Sequence, residues 1–297
     1  MATVLGVTHS PPRFRVPDGA CDCHTHVFGP HARYPLAGER LFTPPEAGVA
    51  DLRALQDALG LTRVVLVQPS AYGTDNACLL ASLAALGGRA RGVAVIGRDT
   101  DDAMLPAMHA AGVRAVRVNL ATRGEGDVEV ARAAVAEAAR RVAPLGWHVE
   151  VHAAASVWAA LVRHASRLPA RLVADHFGRL DPAAPEGWTP LLELVAAGTI
   201  FVKLSAAYRL ARRADLSDVA DLAKAFASAG PMRIVWGSDW PHVGTGPREG
   251  RRPDVIEPFG AVDDGTGLNA VAAWLPDDAT RHRLLVANPA ALYGFDP

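Results

Sequence analysis

Eight short apolar, β-branched runs recur along the chain at roughly regular spacing, separated by longer stretches of helical character. They are ACDCHTHVF (20–28), RVVLVQPS (63–70), RGVAVIG (91–97), VRAVRVNL (113–120), WHVEVHA (147–153), RLVADHFG (171–178), IFVKLSA (200–206) and RIVWGSDW (233–240). Between them lie alanine- and leucine-rich segments with helical periodicity, such as DLRALQDALG (51–60), DNACLLASLAALGG (75–88) and VEVARAAVAEAARRVAP (128–144). Gly60, Gly87, Gly112, Gly146 and Gly230 each precede a strand by a few residues, as helix-terminating glycines do. Strand and helix alternating eight times predicts a parallel sheet covered by helices. Closure into an α/β, (β/α)8 TIM-type barrel is expected for two reasons. The count is eight, and polar residues gather at the C-terminal ends of nearly all the strands, where a barrel builds its site. An open sheet would concentrate them at one switch point. No GxGxxG or Walker A loop is present to hold a nucleotide.

The length of 297 residues fits one such domain, 1–297, with 1–19 as a lead-in and 242–266 as a long loop after the eighth strand. The stretch 280–295 reads as a closing helix. Lys and Arg (30) nearly balance Asp and Glu (31), so no nucleic-acid partner is expected. No segment approaches the run of about 18 apolar residues of a membrane span or resembles a signal peptide. A soluble, cytoplasmic protein is expected, with homo-oligomerisation left open. Three cysteines, Cys21, Cys23 and Cys78, are too few for a disulfide framework.

The stretch CDCHTH (21–26) poses a choice between a structural zinc cluster and one edge of an active site. Strand alternation places Asp22, His24 and His26 on one face and Cys21, Cys23 and Thr25 on the other. The histidines then converge inside the barrel mouth, and the cysteines face the helix layer as small buried hydrophobes. On the fifth strand His148, Glu150 and His152 share a face. His176 ends the sixth strand in phase with Ala174 and Leu172, and Asp239 ends the eighth. Arg117 and Asn119 are in phase on the fourth strand, Lys203 and Ser205 on the seventh, and Arg123 and Arg209 follow in loops.

A histidine pair, a further imidazole and a carboxylate form a donor set suited to one divalent ion, Zn²⁺ or Mn²⁺. Such an ion lowers the pKa of bound water and polarises a carbonyl, and an adjacent carboxylate can relay the proton. His176 can steady an oxyanion. Arg117, Arg123 and Arg209 around one mouth point to an anionic small molecule, against the simpler reading that each pairs with a nearby Asp or Glu.

DCHTHVFGP (22–30), ADHFGR (174–179) and WGSDWPH (236–242) resemble the amidohydrolase superfamily in its amidohydrolase-related branch. VQPSAYGTDN (67–76), GWHV (146–149) and ANPAALYGF (287–295) extend the likeness over nearly the whole chain, and it is greatest to the 2-pyrone-4,6-dicarboxylate lactonases and neighbouring lactonases. The resemblance implies a hydrolase of lactone (cyclic ester) bonds acting in the breakdown of aromatic compounds. Asp239 would activate water, and His24, His26 and His176 would polarise the lactone carbonyl, directly or through a metal. Arg117, Arg123 and Arg209, assisted by Ser70, would hold the substrate's carboxylates. The pyrone lactonases dispense with the metal and carry Tyr where this chain has His152, and a pocket Tyr falls on Phe42. His152 restores the metal-ligand set His24, His26, His152 and Asp239 of metal-dependent relatives. Both departures favour a related substrate such as a sulfo- or carboxymuconolactone or a sugar-acid lactone. A metal-dependent non-oxidative decarboxylase of the same branch, and a non-catalytic binding protein, are the competing expectations.

Overall fold

The structure is a computed structural model and describes residues 1–122, 124, 126–245 and 251–296. A small antiparallel hairpin, β1 (Ala2–Val4) and β2 (Val7–His9), precedes the barrel. The eight barrel strands are β3 (Cys21–Thr25), β4 (Arg63–Val67), β5 (Ala90–Ala94), β6 (Val113–Asn119), β7 (His148–His152), β8 (Leu172–Ala174), β9 (Ile200–Ser205) and β10 (Ile234–Gly237). Each runs parallel to its neighbours in chain order. The ends meet through a parallel bridge between Thr25 and Trp240, with His26 N donating to Trp240 O (2.8 Å) and Asp239 N to His24 O (2.8 Å). A helix follows every barrel strand, from Val49–Leu59 after β3 to Asp264–Trp274 after β10. The eight expected runs thus all form strands of a (β/α)8 barrel.

The helices bury the stripe their sequence carries. In Val128–Val142 the buried positions are Ala131, Val135, Ala138, Ala139 and Val142, one face at helical spacing, and Asp127 caps the first turn by accepting from Glu129 N and Val130 N. Gly60 ends Val49–Leu59 in the left-handed region (φ 70°), where a Cβ would be strained. The alternate residues of the strands, such as Val116, Val149, Val151, Val202 and Leu204, pack outward into this layer.

A separate apolar cluster fills the barrel's interior: Val65, Val67, Val93, Ala115, Val173, Phe201 and Val235, with Leu292, Tyr293 and Phe295 from the C-terminus. The C-terminal segment, helical over Asp278–His282 and Asn288–Tyr293 with a wider turn at Arg283–Ala287, closes the barrel floor. Asn288 Nδ2 donates to Pro231 O (2.9 Å) and Ile234 O (2.7 Å), and Phe295 lies against the guanidinium groups of Arg63 and Arg91. Cys21 and Cys23 belong to this inner cluster, fully buried and unpaired by disulfides. They are small buried hydrophobes as expected, but they face into the barrel rather than the helix layer. The register of β3 against β4 shifts between Asp22 and Thr25, and a bulge of this kind breaks simple alternation. Among the described residues no helix is long and apolar enough to cross a membrane.

Candidate active site

The bulge in β3 creates the site. Strict alternation would send His24 to the opposite face from Cys23. The shifted register instead lets His24 and His26 both point into the mouth above the inward cysteines. Asp22 holds the distortion, its Oδ1 accepting from His24 N (3.1 Å) and Ser238 N (2.9 Å). Burial outweighs these hydrogen bonds and pushes its carboxyl up to about 7. Gly237 completes the junction: a Cβ there would stand 2.7 Å from His24 Cβ and 2.8 Å from His24 N, so only glycine admits β3 this close to β10.

His176 and Asp239 arrive by backbone rather than strand parity. β8 ends at Ala174, which with Leu172 faces the helices, so parity alone would turn His176 outward. Its φ of 55° carries the ring into the mouth instead, beside His24 (centroids 4.6 Å apart). Asp239 likewise has φ 74°. Its Oδ1 faces three imidazole Nε2 atoms, of His24 (3.7 Å), His26 (3.5 Å) and His176 (3.8 Å). Its Oδ2 accepts from Arg209 Nε (2.9 Å) and Tyr208 OH (2.7 Å). The second ring nitrogens are also held: His26 Nδ1 by Val67 O (2.8 Å), His176 Nδ1 by Ser205 Oγ (2.9 Å) and His24 Nδ1 by Lys203 Nζ (3.1 Å).

Burial alone would raise the Asp239 carboxyl, but Arg209 and the three histidines hold it well below the usual carboxylate range. His176 is lowered to about 4, chiefly by burial and further by Arg117 and Arg209. Burial and the Lys203 charge lower His24, and burial and Arg117 lower His152. His24, His152 and His176 are therefore neutral at neutral pH, and Asp239 is anionic.

Beneath this layer lies a buried ionic network. Lys203 Nζ donates to Glu150 Oε2 (2.5 Å), Tyr293 OH donates to Glu150 Oε1 (2.8 Å), and Arg117 Nε donates to Asp175 Oδ2 (2.9 Å). Glu150, Lys203 and Asp175 are each 0 % exposed. Asp175 was not singled out in the sequence, although Val173, two residues before it, faces inward and alternation points it the same way.

A cavity of about 460 Å³ opens above the site. His26, His152, His176 and Asp239 line it, with Ser70 at the first turn after β4 and Phe42 opposite. Four arginines reach its wall: Arg117, Arg179, Arg209 and Arg251. Arg179 follows His176 in the ADHFGR stretch, and Arg251 comes from the long loop with no sequence signal to mark it. Arg117 and Arg209 are ion-paired with Asp175 and Asp239 as well as facing the cavity. Arg123 lies outside the described residues. His152 stands one ring farther out than His176 (centroids 5.0 Å apart), its Nδ1 with Asn119 Oδ1 (3.2 Å) and its Nε2 with Arg179 Nη1 (3.3 Å). The arrangement brings ligand atoms of His24, His176 and Asp239 within 4.8 Å of one another, with His26 Nε2 3.5 Å from Asp239 Oδ1, and His152 lines the same cavity beside His176.

Of these donors, His24, His176 and Asp239 converge closely enough to hold one divalent ion. Ligands of one zinc ion bound at about 2.0–2.2 Å stand roughly 3.3–3.5 Å apart in a tetrahedron, close to the 3.5–3.8 Å spacings around Asp239 Oδ1. His24 Nε2 is buried with no hydrogen-bond partner among the described residues. A second convergent group, His24, Glu150 and Asp175, has the Lys203 ammonium among its ligand atoms.

Comparison with known proteins agrees with the barrel. Over 297 aligned residues, 34% are identical to the 2-pyrone-4,6-dicarboxylate hydrolase of Comamonas testosteroni, covering 96% of this chain and 93% of that protein. The 4-sulfomuconolactone hydrolase of Rhizobium radiobacter is 33% identical over 294 residues, with 96% and 93% covered. An Acinetobacter baumannii protein assigned as a 2-pyrone-4,6-dicarboxylic acid hydrolase, solved with citric acid bound, superposes with a TM-score of 0.77 at 27% identity over 93% of this chain and all of that one. A solved 2,6-dihydroxybenzoate decarboxylase shares the fold alone, at 14% identity and TM-score 0.58. The amidohydrolase family model matches residues 21–295, and the chain belongs to the amidohydrolase family.

Proposed function

We infer that this protein is a hydrolase that opens the lactone ring of a small anionic molecule, a carboxylic ester hydrolase. The observation that carries the reading is the single free face of Asp239. Its Oδ2 is fixed by Arg209 and Tyr208, while Oδ1 looks into a ring of three imidazoles under an arginine-lined cavity. Asp239 Oδ1 takes a proton from the attacking water as its oxygen bonds to the lactone carbonyl carbon. Imidazole N–H groups at this centre stabilise the oxyanion that forms. The ring C–O bond then breaks, and the strongly acidic Asp239 carboxyl hands its proton to the departing oxygen. An enolate leaving group, as a pyrone or muconolactone provides, needs little further help.

His24, His176 and Asp239 would hold a divalent ion, zinc or manganese, once His24 Nε2 gives up its proton, and the ion would then supply Lewis-acid polarisation of the carbonyl. Arg117, Arg179, Arg209 and Arg251, with Ser70, form the surroundings for the substrate's carboxylate or sulfonate groups. Relatives named as hydrolases of pyrone dicarboxylate and sulfomuconolactone support this class, and the decarboxylase neighbour is more distant. The test is hydrolysis of a panel of pyrone, muconolactone and sugar-acid lactones, followed with a pH indicator before and after chelation. Proton release with ring opening on an anionic lactone is expected. Carbon dioxide release without ring opening, or inertness across the panel with and without added zinc or manganese, would refute the reading.

A further inference from the structure

We propose that Lys203 is a positioning residue: it decides which nitrogen of His24 carries the proton, and so makes His24 Nε2 a hydrogen-bond donor toward the reaction centre. The argument starts from donor counting. An ammonium has three N–H donors and no acceptor. Lys203, fully buried on β9, has three atoms around its Nζ: Glu150 Oε2 at 2.5 Å, His24 Nδ1 at 3.1 Å and Asp175 Oδ1 at 3.5 Å. Lys203 can only donate, so the bond it makes with His24 requires a lone pair on Nδ1. A neutral imidazole with a bare Nδ1 carries its proton on Nε2. That Nε2 is the buried atom without a partner, 3.7 Å from Asp239 Oδ1.

His26, two residues on, is set the opposite way. Its Nδ1 lies 2.8 Å from the Val67 carbonyl oxygen, which can only accept, so Nδ1 carries a proton. Asp175 offers the competing arrangement. Its Oδ1 lies 3.4 Å from His24 Nδ1 and makes no hydrogen bond among the described residues, while its Oδ2 is taken by Arg117. If His24 gave its Nδ1 proton to Asp175, Nε2 would be bare and able to bind an ion, at the loss of the Lys203 bond. Lys203 therefore favours the donor form of His24 and opposes metal binding through it. The role of that donor, on the lactone's carbonyl oxygen, rests on the hydrolase reading, but the proton's position does not.

The experiment is long-range ¹⁵N–¹H correlation of the histidine rings in metal-free protein at neutral pH, with His24 identified by its loss in H24Q. Wild type should show His24 protonated on Nε2 and His26 on Nδ1. Lys203→Met should move the His24 proton to Nδ1, and Asp175→Asn should leave it on Nε2. Zinc binding to K203M, measured by competition with a chromogenic chelator, should tighten by roughly tenfold or more, the scale on which partners of ligating histidines act. An Nδ1-protonated His24 in wild type overturns the proposal without any variant, so failure of K203M to fold does not shelter it. A folded K203M with an unmoved His24 proton, or with equal or weaker zinc binding, also overturns it. Neither reading depends on finding a substrate.

Discussion

The Glu150–Lys203 pair offers a quantitative test of how the floor of the site is held. Both side chains are 0 % exposed, and Nζ stands 2.5 Å from Oε2. Lys203→Met leaves Glu150 with the Tyr293 hydroxyl at 2.8 Å and His148 Nε2 at 3.5 Å, and no full positive charge in contact. An orphaned buried charge of this kind costs about 3–5 kcal/mol. Glu150→Gln leaves the ammonium with His24 and Asp175, so its cost should be somewhat smaller. In the double variant no charge is stranded, and the Gln oxygen can keep the Tyr293 bond. Replacing both partners of a buried pair is often close to neutral. Urea unfolding of the four proteins at pH 7, followed by circular dichroism, should therefore give a double variant less destabilised than Lys203→Met alone. Single effects that add to within about 0.5 kcal/mol would refute the reasoning, since additivity marks independent sites.

Three further outcomes follow from the geometry. The depressed His176 value, about 4 against 6.5 in the unfolded chain, means that the folded protein binds fewer protons between those limits; stability rises with pH there and is lost as pH falls through about 4. Metal-free H176N should lose about 3 kcal/mol less than wild type between pH 7 and pH 4, and equal losses in paired urea titrations would contradict this. Gly237→Ala forces a Cβ to within 2.8 Å of His24 backbone N, and should lower stability by about 1–3 kcal/mol and activity with it; an unchanged melting temperature and kcat would count against the close approach. His152→Phe should leave metal stoichiometry by mass spectrometry unchanged, whereas His24→Ala should lower it; the reverse order would place His152 among the ligands.

The barrel was legible because its signals are periodic and redundant: eight apolar runs, glycine-marked helix ends and polar strand termini all predict one architecture. The site was legible as a set of residue types but less so as directions. Alternation assumes a regular strand, and β3 departs from it at the bulge Asp22 stabilises, which reversed the cysteines. His176 reaches the mouth only through a positive φ, which side-chain parity cannot show. The same parity, applied one residue earlier, would have revealed Asp175. Alternation puts Glu150 in phase with His152 and Lys203 with Ser205, yet the pairing of Glu150 with Lys203 depends on the distance across the barrel between β7 and β9, which no local pattern encodes. Arg251 reaches the cavity from a loop whose path is set by tertiary contacts such as Arg251 Nε to Glu257 Oε2 (3.2 Å).

The measurement that bears most directly on the central claim is steady-state hydrolysis of the best lactone by wild type and Asp239→Asn, with circular dichroism to establish that both are folded. If Asp239 is the base, kcat falls by about 10²–10⁴-fold while KM changes little, because Arg209 and the other cavity arginines remain. A folded Asp239→Asn with kcat near the wild-type value would contradict the account.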